Sequence, residues 1–139
     1  MANKVYPKYK QSILSGGTTT DLTVNNVKVI LVVISGGTPY SYSDSHQYLS
    51  DVPSGSITST SPNLTTKVVT ALAAFTSDNV VFSAVTGSVS GALVMYIDTG
   101  TATTSRLVLY QDTGVTGLPI TPNGSDIRVT VDTNGWFAL

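Results

Sequence analysis

The chain has 139 residues, with no Cys, no Glu and a single His, His46. Charged residues make up 11% and the net charge is −1, so the sequence offers neither the titratable clusters most catalysis depends on nor the basic surface nucleic acid requires. The hydrophobic fraction of 41% is too high for a disordered chain, and Ser, Thr and Val replace the missing charge, a mixture that favours strands.

Residues 1–10 read as an extended N-terminal arm ahead of a single β-domain over residues 11–139. Lys4, Lys8 and Lys10 place three of the 7 basic residues here. Pro7 removes a backbone donor and biases Tyr6 away from helix. With Tyr6, Pro7 and Tyr9 interleaved among the lysines, the arm has rings to bury and charge to steer it. Lys4, Tyr6, Pro7, Lys8, Tyr9 and Lys10 are therefore the candidate interface residues, expected to order on an acidic neighbour. The segment lacks the apolar stretch of a signal peptide.

Ser12–Ser15 and Thr20–Val24 flank Gly16-Gly17 as a short hairpin or bend. Lys28–Ile34 is nearly continuous apolar and β-branched, the pattern of a strand covered on both faces, and Gly36-Gly37 ends it. Asp44–Leu49 is the one segment predicted helical: Asp44 can cap it, Gln47 follows three residues later as in a capping box, and Pro53 closes it. The Ser/Thr/Pro/Gly stretch from Pro53 to Pro62 reads as a loop. Further strands are predicted at Thr66–Thr70, Val80–Val85, Ala92–Ile97, Arg106–Gln111, Ile127–Val131 and Trp136–Leu139, with a helical alternative for Val68–Phe75 through its alanines.

Many short strands separated by Gly, Asp and Asn turns predict an all-β fold, an antiparallel β-sandwich or small barrel of jelly-roll or immunoglobulin-like type with at most one or two short helices. The longest apolar run, Val29–Ile34, is too short to cross a bilayer, and no membrane partner is expected. Val29–Ile34 and Leu93–Ile97 do not alternate, so a loop, the arm or another copy must cover the second face; another copy is the expectation, and with it a homo-oligomer.

Several motifs invite a catalytic reading and fail on spacing. Asp98-Thr99-Gly100 and Asp112-Thr113-Gly114 carry the local signature of aspartic proteases, but that chemistry needs two carboxylates sharing a proton across a pseudo-dyad, and 14 positions is the spacing of neighbouring strand exits. Gly87-Ser88-Val89-Ser90-Gly91 puts Val89 where a nucleophile elbow needs Ser. One His falls short of a zinc site, and Asp44, Asp51 and Asp78 lack EF-hand spacing. No metal, cofactor or catalytic residue is assigned. Tyr6, Tyr9, Tyr40, Tyr42 and Tyr48 fall in or near loops, where rings suit sugar stacking, protein interfaces or the core.

The segments Tyr6–Gln11, Val27–Val32, Ser45–Val52, Asp78–Val85, Leu93–Gly100 and Asn134–Leu139, in that order and spacing, resemble a family of small structural proteins of tailed bacteriophages. The resemblance covers most of the chain. It implies a virion component assembled in the host cytoplasm, in the first place a non-enzymatic capsid decoration (cement) protein whose partner is the major capsid protein or another virion protein. It also implies a second acidic residue beside Asp78, where this chain has Asn79, so no ion site is drawn from it. A phage tail, neck or fibre component and a carbohydrate-binding adhesin module are the alternatives; a small aspartic protease ranks last.

Overall fold

A computed structural model describes residues 3–139. It contains strands β1 (Lys4–Val5), β2 (Val27–Val33), β3 (Ile57–Thr60), β4 (Val68–Val69), β5 (Ala74–Thr76), β6 (Val80–Phe82), β7 (Ser90–Ile97), β8 (Leu107–Gln111), β9 (Ile127–Val129) and β10 (Phe137–Ala138), and one α-helix, α1 (Pro7–Leu14). The strands form antiparallel sheets in the orders β1-β8-β7-β2-β3, β10-β5-β4 and β6-β9. The protein is all-β. No helix among the described residues is long and apolar enough to cross a membrane.

β2 and β7 are the centre of the molecule, paired from Val27↔Ile97 to Val33↔Ser90. The pleat puts Val27, Val29 and Leu31 with Ile97, Met95 and Leu93 on one face, and Lys28, Ile30 and Val32 with Tyr96, Val94 and Ala92 on the other. Apart from Lys28, every residue of both strands is buried. On the Val94 face, Tyr110 lies opposite Val94, and the rings of Tyr40 and Tyr42 stand 6.0 and 5.3 Å from its ring. On the Leu93 face, Gln111 lies opposite Leu93 and donates from Nε2 to the Trp136 carbonyl at 3.1 Å, tying in the approach to β10. Phe75, Phe82 and Val129 from the smaller sheets, with Trp136 just ahead of β10, join the same continuous core. One chain thus fills both faces of its central strands. Burial of β2 and β7 by a second copy, the reason given above for self-association, is not required.

The N-terminal segment is not an extended arm. Lys4 and Val5 pair with Tyr110 and Leu109 as the edge strand β1, the Tyr6 N–H donates to the Val108 carbonyl at 2.9 Å, and α1 follows at once. Pro7 is the reason: it occupies the first helical turn, where its missing N–H costs nothing and its fixed φ favours the helix. The helix ends where Gly16 takes a left-handed φ of +70° and Gly17 N–H closes back on the Ser12 carbonyl. Tyr6 (0% exposed) and Tyr9 (3%) belong to the core, so the domain begins before residue 11. The bend predicted around Gly16-Gly17 is this helix end, and Thr20–Val24 is a turn rather than a strand.

The predicted helix at Asp44–Leu49 is absent. Asp51 Oδ2 instead accepts the N–H groups of Gln47 and Tyr48, and a 3-10 turn forms at Leu49–Asp51. Leu107 N–H to the Gln47 carbonyl and Leu49 N–H to the Ser105 carbonyl draw this segment alongside the chain leading into β8. The stretch read as a loop from Pro53 to Pro62 holds a 3-10 turn (Ser54–Ser56) and β3, because the edge of β2 supplies the partners its Ser and Thr lack locally. Val68–Phe75 is a hairpin, β4 to β5, turning through Ala73 at φ +60°. β6, β8, β9 and β10 stand where predicted, trimmed at their ends; β2 is shifted by one residue and β7 begins two residues earlier than predicted, at Ser90.

Candidate interaction surface

The six candidate interface residues divide sharply. Tyr6 and Tyr9 face inward: the Tyr6 hydroxyl bonds the Tyr40 hydroxyl at 2.8 Å, and the Tyr9 hydroxyl donates to the Thr20 carbonyl at 2.8 Å. Pro7 starts the helix. Lys4 Nζ pairs with Asp44 Oδ1 at 2.8 Å and lies over the Tyr42 ring. Lys8 is half-buried and Lys10 exposed on α1. The rings are therefore unavailable to a neighbour, and Lys4, paired with Asp44, and Lys10 are the residues of the set left exposed.

Tyr6, Tyr40 and His46 form a hydrogen-bonded cluster that the sequence did not join. Tyr40, 4% exposed, bridges the Tyr6 hydroxyl and His46 Nδ1, the latter at 2.7 Å. Desolvation, followed by the Tyr40 phenol beside it, pushes the Tyr6 phenol far above its ordinary range, and burial pushes Tyr40 to about 12. Such rings are structural, with their hydroxyls spent on one another. Among the described residues every buried side-chain nitrogen and oxygen has a partner.

The aspartates do not converge. Asp98 and Asp112 leave antiparallel neighbours β7 and β8 at opposite ends, because Leu93 is opposite Gln111 while Ile97 N–H reaches the Arg106 carbonyl. Some five residues of strand, roughly 17 Å, separate the two loops, too far to share a proton. Asp98 receives Lys28 Nζ at 2.8 Å and the Gly100 N–H at 2.9 Å, which hold its carboxyl below the usual range. Asp44 is lowered by the Lys4 ammonium and then the Tyr42 hydroxyl. For Asp51 burial works against the charge, but the N–H groups of Gln47 and Tyr48 prevail. Asp21 accepts from Thr23, Asp78 from the hydroxyls of Thr65 and Thr66, and Asp126 from the Ala84 N–H. Asp21 thus serves its own turn, while Asp78 and Asp126 tie their turns to segments distant in the chain. No group of three or more His, Cys, Asp or Glu side chains able to hold a metal gathers among the described residues.

What the surface does present is an apolar ridge where α1, the β4–β5 hairpin and β10 meet. Leu14 is 88% exposed, Leu72 at the hairpin tip 85%, and Leu139 58%. Val68 and Val69 are also exposed along the edge strand β4. A groove of about 200 Å3 at this junction is walled by Tyr9, Ile13, Val69, Phe137 and Leu139, while Leu72 lines a separate cavity with Ala74 and Ala138 on the other face of the hairpin's sheet. A second cleft, about 440 Å3, opens beyond Ile13 and Leu139 toward Leu14 and Lys10. Single exposed leucines are ordinary; Leu14 and Leu139 lining one cleft with Ile13, next to the groove at Val69, on a domain whose core is complete, mark a contact surface. Sequence reasoning missed it because Leu14 and Leu72 adjoin turns, where no periodicity distinguishes outward from inward. No family model and no curated protein matches the chain.

Proposed function

We propose that the protein is a non-enzymatic structural subunit of a bacteriophage particle, a capsid decoration (cement) protein of the head that works by protein–protein contact. The exposed apolar ridge carries this reading: Leu14, Leu72 and Leu139 remain in water on a chain that has otherwise filled both faces of its main sheet. Two further features support it. The aspartates named above serve turns and local pairs rather than a shared site, and a surface of Ser and Thr with little charge suits a subunit packed at high copy number, where modest contacts sum through avidity. The phage assignment itself rests on the ordered sequence blocks given above. The adhesin alternative loses its basis in Tyr6, Tyr9 and Tyr40, whose rings are buried.

The test is electron microscopy of intact particles labelled with an antibody against this chain. Label over the head surface is the expected result. Label confined to the tail would replace the decoration role with a tail role, and absence from purified particles would overturn the virion assignment.

A further inference from the structure

We propose that His46, with Tyr40 and Tyr6 behind it, is an acid-sensitive latch: protonation of its imidazole reverses a chain of hydrogen bonds and leaves one hydroxyl proton in the core without an acceptor. The Tyr6 and Tyr40 hydroxyls meet at 2.8 Å, and the Tyr40 hydroxyl meets His46 Nδ1 at 2.7 Å; among the described residues these two hydroxyls make no other hydrogen bond. Each contact holds one proton. With the imidazole neutral and its proton on Nε2, the Tyr6 O–H donates to the Tyr40 oxygen and the Tyr40 O–H donates to Nδ1, so both hydroxyl protons are used. That arrangement requires the Nε2–H tautomer, since a proton on Nδ1 would compete for the Tyr40 oxygen. Protonation of the ring puts three protons on the two contacts. Nδ1–H then donates to Tyr40, Tyr40 turns to donate to Tyr6, and the Tyr6 O–H is stranded at a residue that is 0% exposed. If Tyr6 keeps donating to Tyr40 instead, it is the Tyr40 proton that is stranded, at 4% exposure. A buried donor left without a partner costs more than the hydrogen bond it once made.

The charged groups nearby do not undo this. Asp51, on the 3-10 turn that follows, is the carboxylate that interacts with the His46 charge, and it lets the imidazolium form in place. Its Oδ2 is held by the Gln47 and Tyr48 N–H groups, and it is exposed, so its attraction is screened and worth less than the stranded donor costs. Asp44 is spent on Lys4 of β1 and the Tyr42 hydroxyl, and Arg106, just ahead of β8, on Thr18 and Ser12. Tyr110 of β8, its ring 6.0 Å from that of Tyr40, gives its own hydroxyl to Asp112. The contact that loosens is the one joining the entry to α1, at Tyr6, to the β2–β3 connection that carries Tyr40 and His46. Histidine takes up its second ring proton in the mildly acidic range, above the range in which carboxylates titrate. The unfolded chain binds that proton without the penalty, so stability is lost as pH falls through this range.

The experiment joins two measurements on the full chain. His46 is the one histidine, so the nitrogen NMR shifts of the labelled imidazole read its tautomer without ambiguity. At about pH 8 a proton on Nε2 and an accepting Nδ1 are expected; a proton on Nδ1 would overturn the proposal. Chemical denaturation from about pH 8 to about pH 5 should then show the folded-to-unfolded ratio falling about tenfold, the scale of one stranded buried donor. His46→Asn, whose amide oxygen offers Tyr40 an acceptor that takes up no proton, should hold its ratio to within about twofold over the same range. A wild-type stability that is flat or rises toward the acid end, or a fall that His46→Asn shows equally, would also overturn it. Should His46→Asn fail to fold, the tautomer and the direction of the wild-type pH series decide by themselves.

Discussion

The hydroxyls of Tyr6 and Tyr40, 34 positions apart in the chain, meet at 2.8 Å inside the core, and Tyr40 passes the contact on to His46. This pair stitches the first turn of the N-terminal segment to the long connection between β2 and β3. Tyr6 also packs against Tyr42 at 5.1 Å between ring centroids, and Tyr42 against Tyr110 on β8. The segment that the sequence presented as a detachable arm is thus a wall of the domain.

Removing it should therefore unfold the protein rather than release a folded domain. Tyr6→Phe is expected to cost about 1 kcal/mol, one buried hydrogen bond, and Tyr6→Ala about 3–5 kcal/mol, a buried aromatic with its cavity. A chain lacking residues 1–10 should lose its cooperative thermal transition. A truncated chain that melts like the full one would return the segment to the role of an appended arm.

How far the fold was legible follows from where local signals outweighed tertiary ones. β2, β7 and β8 are runs of Val, Ile, Leu and Tyr long enough to specify strands whatever surrounds them. β3 is Ile-Thr-Ser-Thr between prolines, locally a loop, and becomes a strand only because β2 offers its edge. Pro7 is ambiguous in sequence: a breaker within a helix, a starter at its first turn, and only the capping glycine at Gly16 distinguished the two. At Asp51 the same ambiguity ran the other way, its carboxylate satisfying backbone donors in a 3-10 turn where a capping box at Asp44 was expected. The aspartate turns were readable because Asx chemistry is local; the ridge was not, since exposure of Leu14 and Leu72 depends on how three elements assemble.

The Lys28–Asp98 pair gives a pH-dependent prediction. Its side chains are 28% and 21% exposed, and the Asp98 carboxyl is held below its ordinary value, first by Lys28 and then by the Gly100 N–H. As pH falls, the unfolded chain takes up the proton first, so the contribution is whole at neutral pH and fades below about pH 4. Asp98→Asn keeps an acceptor for Gly100 but loses the ion pair, at a cost of about 0.5–1 kcal/mol at pH 7. The gap between the thermal melts of the two chains should narrow as pH falls below the ordinary aspartate range. A gap that stays constant across the range would mean that the pair contributes nothing and that the turn alone was perturbed.

The last prediction separates two glycines that resist a side chain for different reasons. A Cβ on Gly91, in the buried strand β7, would stand 2.4 Å from Ile34 Cδ1 and 3.3 Å from Pro119 Cβ. The nearer obstacle is the end of a flexible side chain that is 38% exposed and able to turn toward solvent. Gly91→Ala should cost about 1–3 kcal/mol by overpacking, and Ile34→Ala in the same chain should recover most of it. Gly135 has no such release. Its φ is +88°, and a Cβ would stand 2.5 Å from the Phe75 carbonyl oxygen, backbone that Trp136 N–H also bonds at 2.7 Å. Gly135→Ala should be the more damaging change, with the β5–β10 pairing displaced. Chemical denaturation of the three variants reads this directly: rescue at Gly91 by the smaller neighbour and a larger loss at Gly135 are expected. Equal losses at the two sites, with no rescue, would mean that the close approach at Gly91 is set by the backbone and not by Ile34.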